Sequence, residues 1–349
     1  MTRRAGETVL GWDIGGVNTK AARMEGSDGL ADVRSVSEPY ELQRHPEALV
    51  PTLLRLAHRL GTDRIMAHAV TMTAELSQLF RTKREGVGFV LDGMERAFPH
   101  DRIAVHTVGG RFITPDEARR RPLDVAASNW AATAALVASF EPDAILIDTG
   151  TTTTDVIPIA GGRVRAEGQT DPGRLLNGEL VYTGAVRTPA EALVQDVPIP
   201  GGRAGVSAEG FALIGDALVW LGRLRPDAYT GPTPDGRPPT REFAGERLAR
   251  LVCADREILD DVAIDGIALA LAEAQIARIV AGLARVRARW PSVSRAVVTG
   301  LGDFIAAAAA ERAGLTAVAL SERLGSAALT APAAAVAWLL ATQPPERPA

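Results

Sequence analysis

Val9-Leu-Gly-Trp-Asp-Ile-Gly-Gly-Val-Asn-Thr-Lys20 and Ala144-Ile-Leu-Ile-Asp-Thr-Gly-Thr-Thr-Thr-Thr154 decide the reading of this chain. Both carry the frame Asp-x-Gly-x-x-x-Thr, from Asp13 to Thr19 and from Asp148 to Thr154, and each frame follows a mostly apolar run. The apolar runs predict buried strands, and Gly15, Gly16 and Gly150 permit a tight turn after each. Such a turn presents backbone N–H groups to a phosphate. Asn18, Thr19 and Thr151, Thr152 and Thr153 add side-chain groups on the same turns. A carboxylate at the end of each strand is poorly placed against an anion unless a cation lies between them, so Asp13 and Asp148 imply Mg2+. Taken singly, either copy also reads as an ordinary hairpin with a Gly turn and β-prone threonines. Repetition in one frame favours a duplicated anion-binding turn.

Lysine usage points to the same region. Of 38 Lys plus Arg residues only Lys20 and Lys83 are lysines. Lys20 adjoins the first turn, and Lys83 lies in Thr71-Met-Thr-Ala-Glu-Leu-Ser-Gln-Leu-Phe-Arg-Thr-Lys-Arg-Glu-Gly86. A compact ammonium serves there in a way that a planar guanidinium does not, although two surviving surface lysines would look the same in sequence.

At 349 residues and 46% hydrophobic content, the chain has material for two core-forming domains. The formal net charge of -4 and the scattered arginines provide no basic field, so no nucleic-acid partner is expected. The single cysteine, Cys253, forms no internal disulfide, and no His/Cys cluster has zinc spacing. No apolar signal segment precedes the first strand, and charge interrupts the Ala-rich stretches. A cytoplasmic protein without membrane association, acting on small molecules, is expected, with a homodimer left open.

Periodicity predicts strands at 7–14, 18–25, 30–37, 64–70 and 102–106 and helices at 46–60, 84–97 and 122–139 in the first part. The order restarts at Ala144 with strands at 144–148, 152–159 and 163–168. Helices then follow near 209–224, 240–253 and 262–289, with strands at 296–299 and 316–320 and a final helix at 326–342. The tail Gln343–Ala349 is expected to fray. His68 and His106, each near a strand end and without metal-ligand spacing, read as structural.

Two strand–turn–strand phosphate loops and a late Gly turn, Val297-Val-Thr-Gly-Leu-Gly-Asp-Phe304, resemble the superfamily of acetate and sugar kinases, heat-shock chaperone ATPases and actin. That resemblance covers nearly the whole chain. It implies an α/β fold of duplicated ribonuclease H-like domains with an interdomain cleft. Residues 1–142, with helix 326–342, would form the first domain and residues 143–325 the second. The family's first loop matches Asp13, Gly15, Gly16, Thr19 and Lys20, its second Asp148, Gly150, Thr151, Thr152, Thr153 and Asp155, and its adenosine turn Gly300 and Gly302. Leu301 interrupts the adjacent glycines usual in that turn, so ATP binding is left open.

The second loop resembles the hydantoinase and oxoprolinase branch. Three stretches are similar to the enzyme family that makes the phenoxymethyl-furan core of methanofuran and methylofuran: Gly11-Trp-Asp-Ile-Gly-Gly-Val-Asn-Thr-Lys20, Thr71–Leu76 with Lys83–Gly86, and Ala126-Ala-Ser-Asn-Trp-Ala-Ala-Thr133. The likeness implies condensation of an aminomethyl-furanylmethyl diphosphate with γ-glutamyltyramine, with release of diphosphate. The loops, Mg2+ on Asp13 and Asp148, and Lys20 would then stabilise the leaving group. Glu75 or Asp155 is the candidate base for the phenol, Glu75 being preferred, although a solvated carboxylate at a helix start gives the same pattern. Arg187, Lys83 and Asn129 are the acceptor-side candidates, and Trp130 reads as core. A sugar-kinase-like kinase, a nucleotide-gated regulator and an oxoprolinase-like hydrolase are the competing expectations.

Overall fold

The computed structural model describes residues 8–25 and 30–343, so the predicted fraying of residues 344–349 and the first residue of the predicted strand 7–14 lie outside the described residues. Along the chain, strands β1 (Thr8–Ile14), β2 (Asn18–Glu25) and β3 (Arg34–Pro39) lead to helix α1 (Leu49–Leu60), β4 (Ile65–Met72), α2 (Lys83–Ala97), β5 (Arg102–His106) and β6 (Phe112–Ile113). Helices α3 (Pro115–Arg120), α4 (Pro122–Val125) and α5 (Asn129–Ala138) precede the restart at β7 (Ala144–Thr149), β8 (Thr154–Ala160) and β9 (Arg163–Val164). Then come α6 (Asp171–Asn177), β10 (Leu180–Val181), a hairpin of β11 (Asp196–Ile199) and β12 (Gly202–Gly205), and helices α7 (Ile214–Trp220), α8 (Arg241–Arg250) and α9 (Asp261–Arg289). The chain closes with β13 (Arg295–Thr299), α10 (Asp303–Arg312), β14 (Thr316–Ala319), α11 (Ser321–Leu324) and α12 (Ala331–Thr342).

Two compact units result, one of residues 1–146, 157–174 and 318–349 and the other of 147–156 and 175–317. The first unit holds a sheet of order β3-β2-β1-β4-β5-β6. Here β1 runs antiparallel to β2 and parallel to β4, with Asp13 opposite Lys20 on one side and Thr71 on the other. Alternation along β1 sends Leu10, Trp12 and Ile14 into a core shared with Leu53 and Leu56 of α1 and Val87, Leu91 and Met94 of α2. On the opposite face α12 lies directly on the sheet. A Cβ at Gly11 would sit 2.0 Å from the Ala333 carbonyl oxygen, so only glycine admits this approach. The alanines of α12 serve the same close packing, and Ala22, Ala333 and Ala334 form an apolar cluster there.

The second sheet has the order β10-β8-β7-β13-β14, with β9 paired to β8. The strand–hairpin–strand pattern thus recurs, with β7 and β8 in the places of β1 and β2. Helix α9 and the segment 321–342 are apolar and long enough to cross a membrane, but 50% and 72% of their apolar windows are buried inside the fold, which makes them core elements.

Several predicted elements are corrected. The helix expected over 122–139 breaks at Ala127, whose φ of 51° lies in the left-handed region, leaving α4 and α5 as separate pieces. The third strand of the first sheet occupies 34–39 instead of 30–37, after a 3₁₀ turn at Leu30–Asp32. Strand 163–168 shrinks to two residues, the helix expected at 209–224 to α7, and α3, α6 and the β11–β12 hairpin were not anticipated.

Candidate functional site

The first turn is built by local backbone bonding. Gly15 N–H donates to the Asn18 carbonyl at 3.1 Å, closing the loop between β1 and β2. A Cβ at Gly15 would lie 2.7 Å from that oxygen, whereas one at Gly16 would meet nothing within 4 Å, so the backbone at Gly16 is open to approach. Asp13 is buried, and its Oδ2 lies 3.3 Å from Lys20 Nζ across the strand pair. Asp13 Oδ1 and Thr19 Oγ1 are buried with no hydrogen-bond partner in the fold. Polar atoms in that condition are commonly completed by an ion, water or ligand. Mg2+ uses one or two carboxylates and takes its other ligands from phosphates and water, and the orphan Asp13 oxygen fits that donor set. Among the described residues no group of three or more His, Cys, Asp or Glu gathers to hold a metal by itself.

The second turn repeats the first. Gly150 N–H donates to the Thr153 carbonyl at 2.9 Å, the same bond over the same spacing. Asp148, Gly150, Thr151, Thr152 and Thr153 are half-buried around it. The segment after β10 clasps this loop: Ala185 N–H donates to the Gly150 carbonyl, and the Val186 and Arg187 N–H groups to that of Thr151. Gly184 is required there, because a Cβ would approach Thr152 N to 2.5 Å. Gln275 of α9 donates to Thr183 Oγ1 and the Gly184 carbonyl, pinning the clasp. Gly300, at φ 93°, and Gly302 pack on the same loop. A Cβ at Gly300 would lie 2.4 Å from Thr149 O and 2.5 Å from Asp148 Oδ1, and Gly302 N–H donates to the Thr149 carbonyl at 2.8 Å. Both glycines thus pack directly on the strand end that carries Asp148. Asp155 is buried in β8 opposite Leu180, and the Arg187 side chain is exposed.

A third group of residues gathers in the first unit. Thr73 N–H donates to the Ile14 carbonyl at 2.9 Å, so the segment leaving β4 starts beside the first turn. It forms a 3₁₀ turn at Ala74–Leu76, and Glu75 is 1% exposed. A Cβ at Gly86 would come within 2.5 Å of Glu75 Cα, so glycine at that position lets α2 lie against the turn. Thr82 caps α2 by accepting from Glu85 N–H and places Lys83 in the first helical position. Lys83 Nζ then lies 3.8 Å from Glu75 Oε1 and 2.7 Å from Asp171 Oδ2. Asp171 Oδ1 pairs in turn with Arg174 Nη2 at 3.0 Å, and the Arg174 guanidinium covers the Trp130 ring at 4.8 Å from its centroid.

Burial pushes the Glu75 carboxyl up to about 7, with Lys83 opposing most strongly and the N–H groups of Glu75 and Ala127 acting in the same sense. Neither Glu75 oxygen is closed by a hydrogen bond of good geometry. Burial would also raise Asp171, but the hydrogen bonds from Lys83 and Arg174 outweigh it and hold that carboxyl low. The pair is therefore split: one carboxyl stays ionised and the other exchanges a proton near neutrality.

The break at Ala127 belongs to this group. Met72 bridges Ala126 in parallel, and Ser128 Oγ bonds Thr71 Oγ1 at 2.8 Å and donates to the His106 carbonyl at 2.9 Å. These bonds hold 126–128 along the end of β4, with Asn129 half-buried at the start of α5 and Trp130 2% exposed. His68 is a core element. Its Nδ1 accepts from Trp12 Nε1, its Nε2 lies 2.9 Å from Asp101, and it stacks on Phe98. Burial lowers its pKa, and burial brings that of His106 to about 4.

The structure thus brings Glu75 and Lys83 together and puts Asp13, Lys20 and Thr19 on the adjoining strand pair. Asp171 and Arg174 were missed in sequence. Their segment, Thr170-Asp-Pro-Gly-Arg174, carries a helix-start signal in Asp171-Pro172, but nothing in it foretells a lysine partner 88 residues away. A solvated Glu75 and a free surface Lys83, the alternatives open in sequence, are both set aside by this geometry.

The hydantoinase/oxoprolinase family pattern matches residues 66–343. A Methanocaldococcus jannaschii protein, (4-{4-[2-(γ-L-glutamylamino)ethyl]phenoxymethyl}furan-2-yl)methanamine synthase, is 36% identical over 337 residues, covering 96% of this chain and 98% of that one. The Methanococcus vannielii protein of the same name is 34% identical over 168 residues, 48% of this chain and 74% of that one. Among solved structures, nucleotide-free acetone carboxylase superposes with a TM-score of 0.56 at 11% identity, covering 95% of this chain and 70% of that one, a likeness of fold alone. The chain belongs to the hydantoinase/oxoprolinase family, in the branch of the phenoxymethyl-furan methanamine synthases.

Proposed function

We propose that this protein is the transferase that joins an aminomethyl-furanylmethyl diphosphate to the phenol oxygen of γ-glutamyltyramine. The observation that carries this reading is the full-length match at 36% identity, which spans both phosphate turns and the Glu75–Lys83 segment. In the reaction the methylene–oxygen bond of the diphosphate breaks and its electron pair leaves with the diphosphate. The furan ring delocalises the resulting positive charge, a phenol oxygen lone pair forms the ether bond, and the phenol proton must go to a base.

Each residue set suits one of these demands. We assign Asp13, Gly15, Gly16, Asn18, Thr19 and Lys20, and in the same manner Asp148, Gly150, Thr151, Thr152 and Thr153, to diphosphate and Mg2+. Open N–H groups, hydroxyls and an ammonium placed before the reaction stabilise the departing charge without reorganisation. When bound, Mg2+ supplies further neutralisation of the leaving group. Glu75 is the proton acceptor. A carboxylate titrating near 7 combines sufficient basicity with a deprotonated fraction at neutral pH, and its burial keeps water from competing. Lys83, held by Asp171, keeps positive charge beside it. A cytoplasmic setting belongs to this proposal.

The test is incubation of purified protein with Mg2+, the furanylmethyl diphosphate and γ-glutamyltyramine, with ether and diphosphate measured by mass spectrometry and an ATP-containing parallel. Ether formed without ATP supports the reading. Absence of ether together with ATP consumption on a small-molecule acceptor refutes it in favour of a kinase.

A further inference from the structure

The first unit contains a cavity of about 350 Å3 that none of the assignments above uses. Its floor is α5, which offers Ala131, Ala135 and Ala138, and Trp130 forms one wall. The turn Val108–Gly110 between β5 and β6 and the segment that carries β9 complete it. Four properties bear on what it holds. Its volume lies at the lower end of the roughly 300–1,000 Å3 range of small-molecule pockets, enough for part of an extended molecule. Its floor is apolar and made smooth by small side chains. Its rim carries the exposed Arg163, whose guanidinium is committed to no ion pair among the described residues, and the exposed Gln169. The wall it shares with the reacting group is Trp130, whose ring is covered by Arg174, the last member of the chain Glu75–Lys83–Asp171–Arg174.

We propose that this cavity is the subsite for the γ-glutamyl tail of the phenol acceptor, with Arg163 binding the α-carboxylate, Gln169 accepting from the α-ammonium, and the alanine floor of α5 receiving the methylene chain. The inference rests on the synthase reading and names where its second substrate is recognised. A guanidinium matches a carboxylate with two parallel N–H···O bonds, and a side-chain amide oxygen accepts from an ammonium, so both polar groups of an amino-acid head find a hydrogen-bond partner at the rim. The apolar part then lies where burial is favourable. Under this arrangement the protein measures the acceptor from its tail and distinguishes γ-glutamyltyramine from tyramine.

The experiment compares steady-state kinetics of wild type, Arg163→Gln and Ala135→Trp on γ-glutamyltyramine and on tyramine, with calorimetric binding of γ-glutamyltyramine in parallel. Arg163 is exposed, so its replacement leaves folding intact. Arg163→Gln is expected to raise KM for γ-glutamyltyramine about tenfold or more while leaving KM for tyramine and for the furan diphosphate unchanged, and Arg163→Lys to restore part of the loss. Ala135→Trp, which fills the cavity, is expected to raise KM for γ-glutamyltyramine and leave the diphosphate constant alone. Turnover with acceptor KM insensitive to Arg163→Gln overturns the subsite. Wild-type protein that binds γ-glutamyltyramine in an Arg163-dependent way but forms no ether retains the subsite and refutes the synthase reaction instead. A wild type that neither binds the acceptor nor forms ether overturns both.

Discussion

Lys83 Nζ and Asp171 Oδ2 lie 2.7 Å apart, joining the first turn of α2 to the first turn of α6. The bond fixes a flexible ammonium at 3.8 Å from the buried Glu75 carboxyl, and without it the ammonium has one carboxylate to serve instead of two. Asp171→Asn is therefore expected to tighten the Lys83–Glu75 pair and lower the Glu75 pKa, since the positive charge is no longer shared. The groups facing Glu75 are Lys83 and Asp171 together with the Glu75 and Ala127 amides. The acid limb of the kcat profile should move to lower pH, and a profile that stays in place while only stability falls would make Asp171 purely structural. Loss of the bond should cost about 1–3 kcal/mol.

Replacing Glu75 by Gln removes the proposed proton acceptor while retaining shape. A roughly 100- to 10,000-fold loss of kcat with little change in either KM is the expected result. A variant retaining more than a tenth of wild-type kcat would assign the proton to another group, Asp155 being the next carboxyl to examine.

The same residue makes stability depend on pH. Its folded pKa is raised from 4.5 to about 7, so between those values the folded protein binds more protons than the unfolded chain. Stability contributed by the protonated form is full below about 4.5 and is lost as pH rises through about 7. Relative to Glu75→Gln, wild type should lose on the order of 3 kcal/mol across that window, read as the difference between the two denaturant midpoints at pH 4.5 and 8. Parallel pH dependence in the two proteins would contradict the burial argument.

Asp13→Asn and Asp148→Asn test the proposed assignment of the two turns to diphosphate and Mg2+. If the orphan Oδ1 of Asp13 serves a divalent ion, Asp13→Asn should raise the Mg2+ concentration needed for half-maximal rate by tenfold or more. Thermal unfolding without metal should change little. Wild-type-like metal dependence and rate in both variants would remove the turns from the reaction.

Gly300→Ala addresses the late turn. Its φ of 93° and the 2.4 Å approach of a Cβ to Thr149 O make any side chain strained and clashing. A loss of more than about 2 kcal/mol in stability is expected, along with weaker diphosphate binding because the strand end beneath Asp148 must shift. Unchanged diphosphate affinity in a destabilised but folded variant would separate the turn from ligand binding.

Much of the fold was legible because its signals are local. The two Asp-x-Gly-x-x-x-Thr frames follow apolar runs, and a strand, a glycine turn and a returning strand are settled by neighbours in sequence; hence the matching bonds Gly15 N–H to Asn18 O and Gly150 N–H to Thr153 O. Ala127 is the opposite case. The alanine-rich run over 122–139 favours a single helix, yet Met72 bridges Ala126 and Ser128 is bonded to Thr71 and the His106 carbonyl, and these tertiary bonds outweigh the propensity of alanine. The β11–β12 hairpin and α6 escaped for a related reason, being short and weakly patterned.

The sequence alone therefore determined the repeated α/β plan and its two glycine turns, since each strand, turn and returning strand is written within a short consecutive stretch. Only tertiary structure decided that Glu75 is buried, that Gly86 is the residue allowing α2 to rest on it, and that Lys83 meets an aspartate 88 positions downstream. The physical reason is that a carboxyl's pKa and a lysine's partner depend on desolvation and distance in three dimensions, and neither quantity is recorded by spacing along the chain.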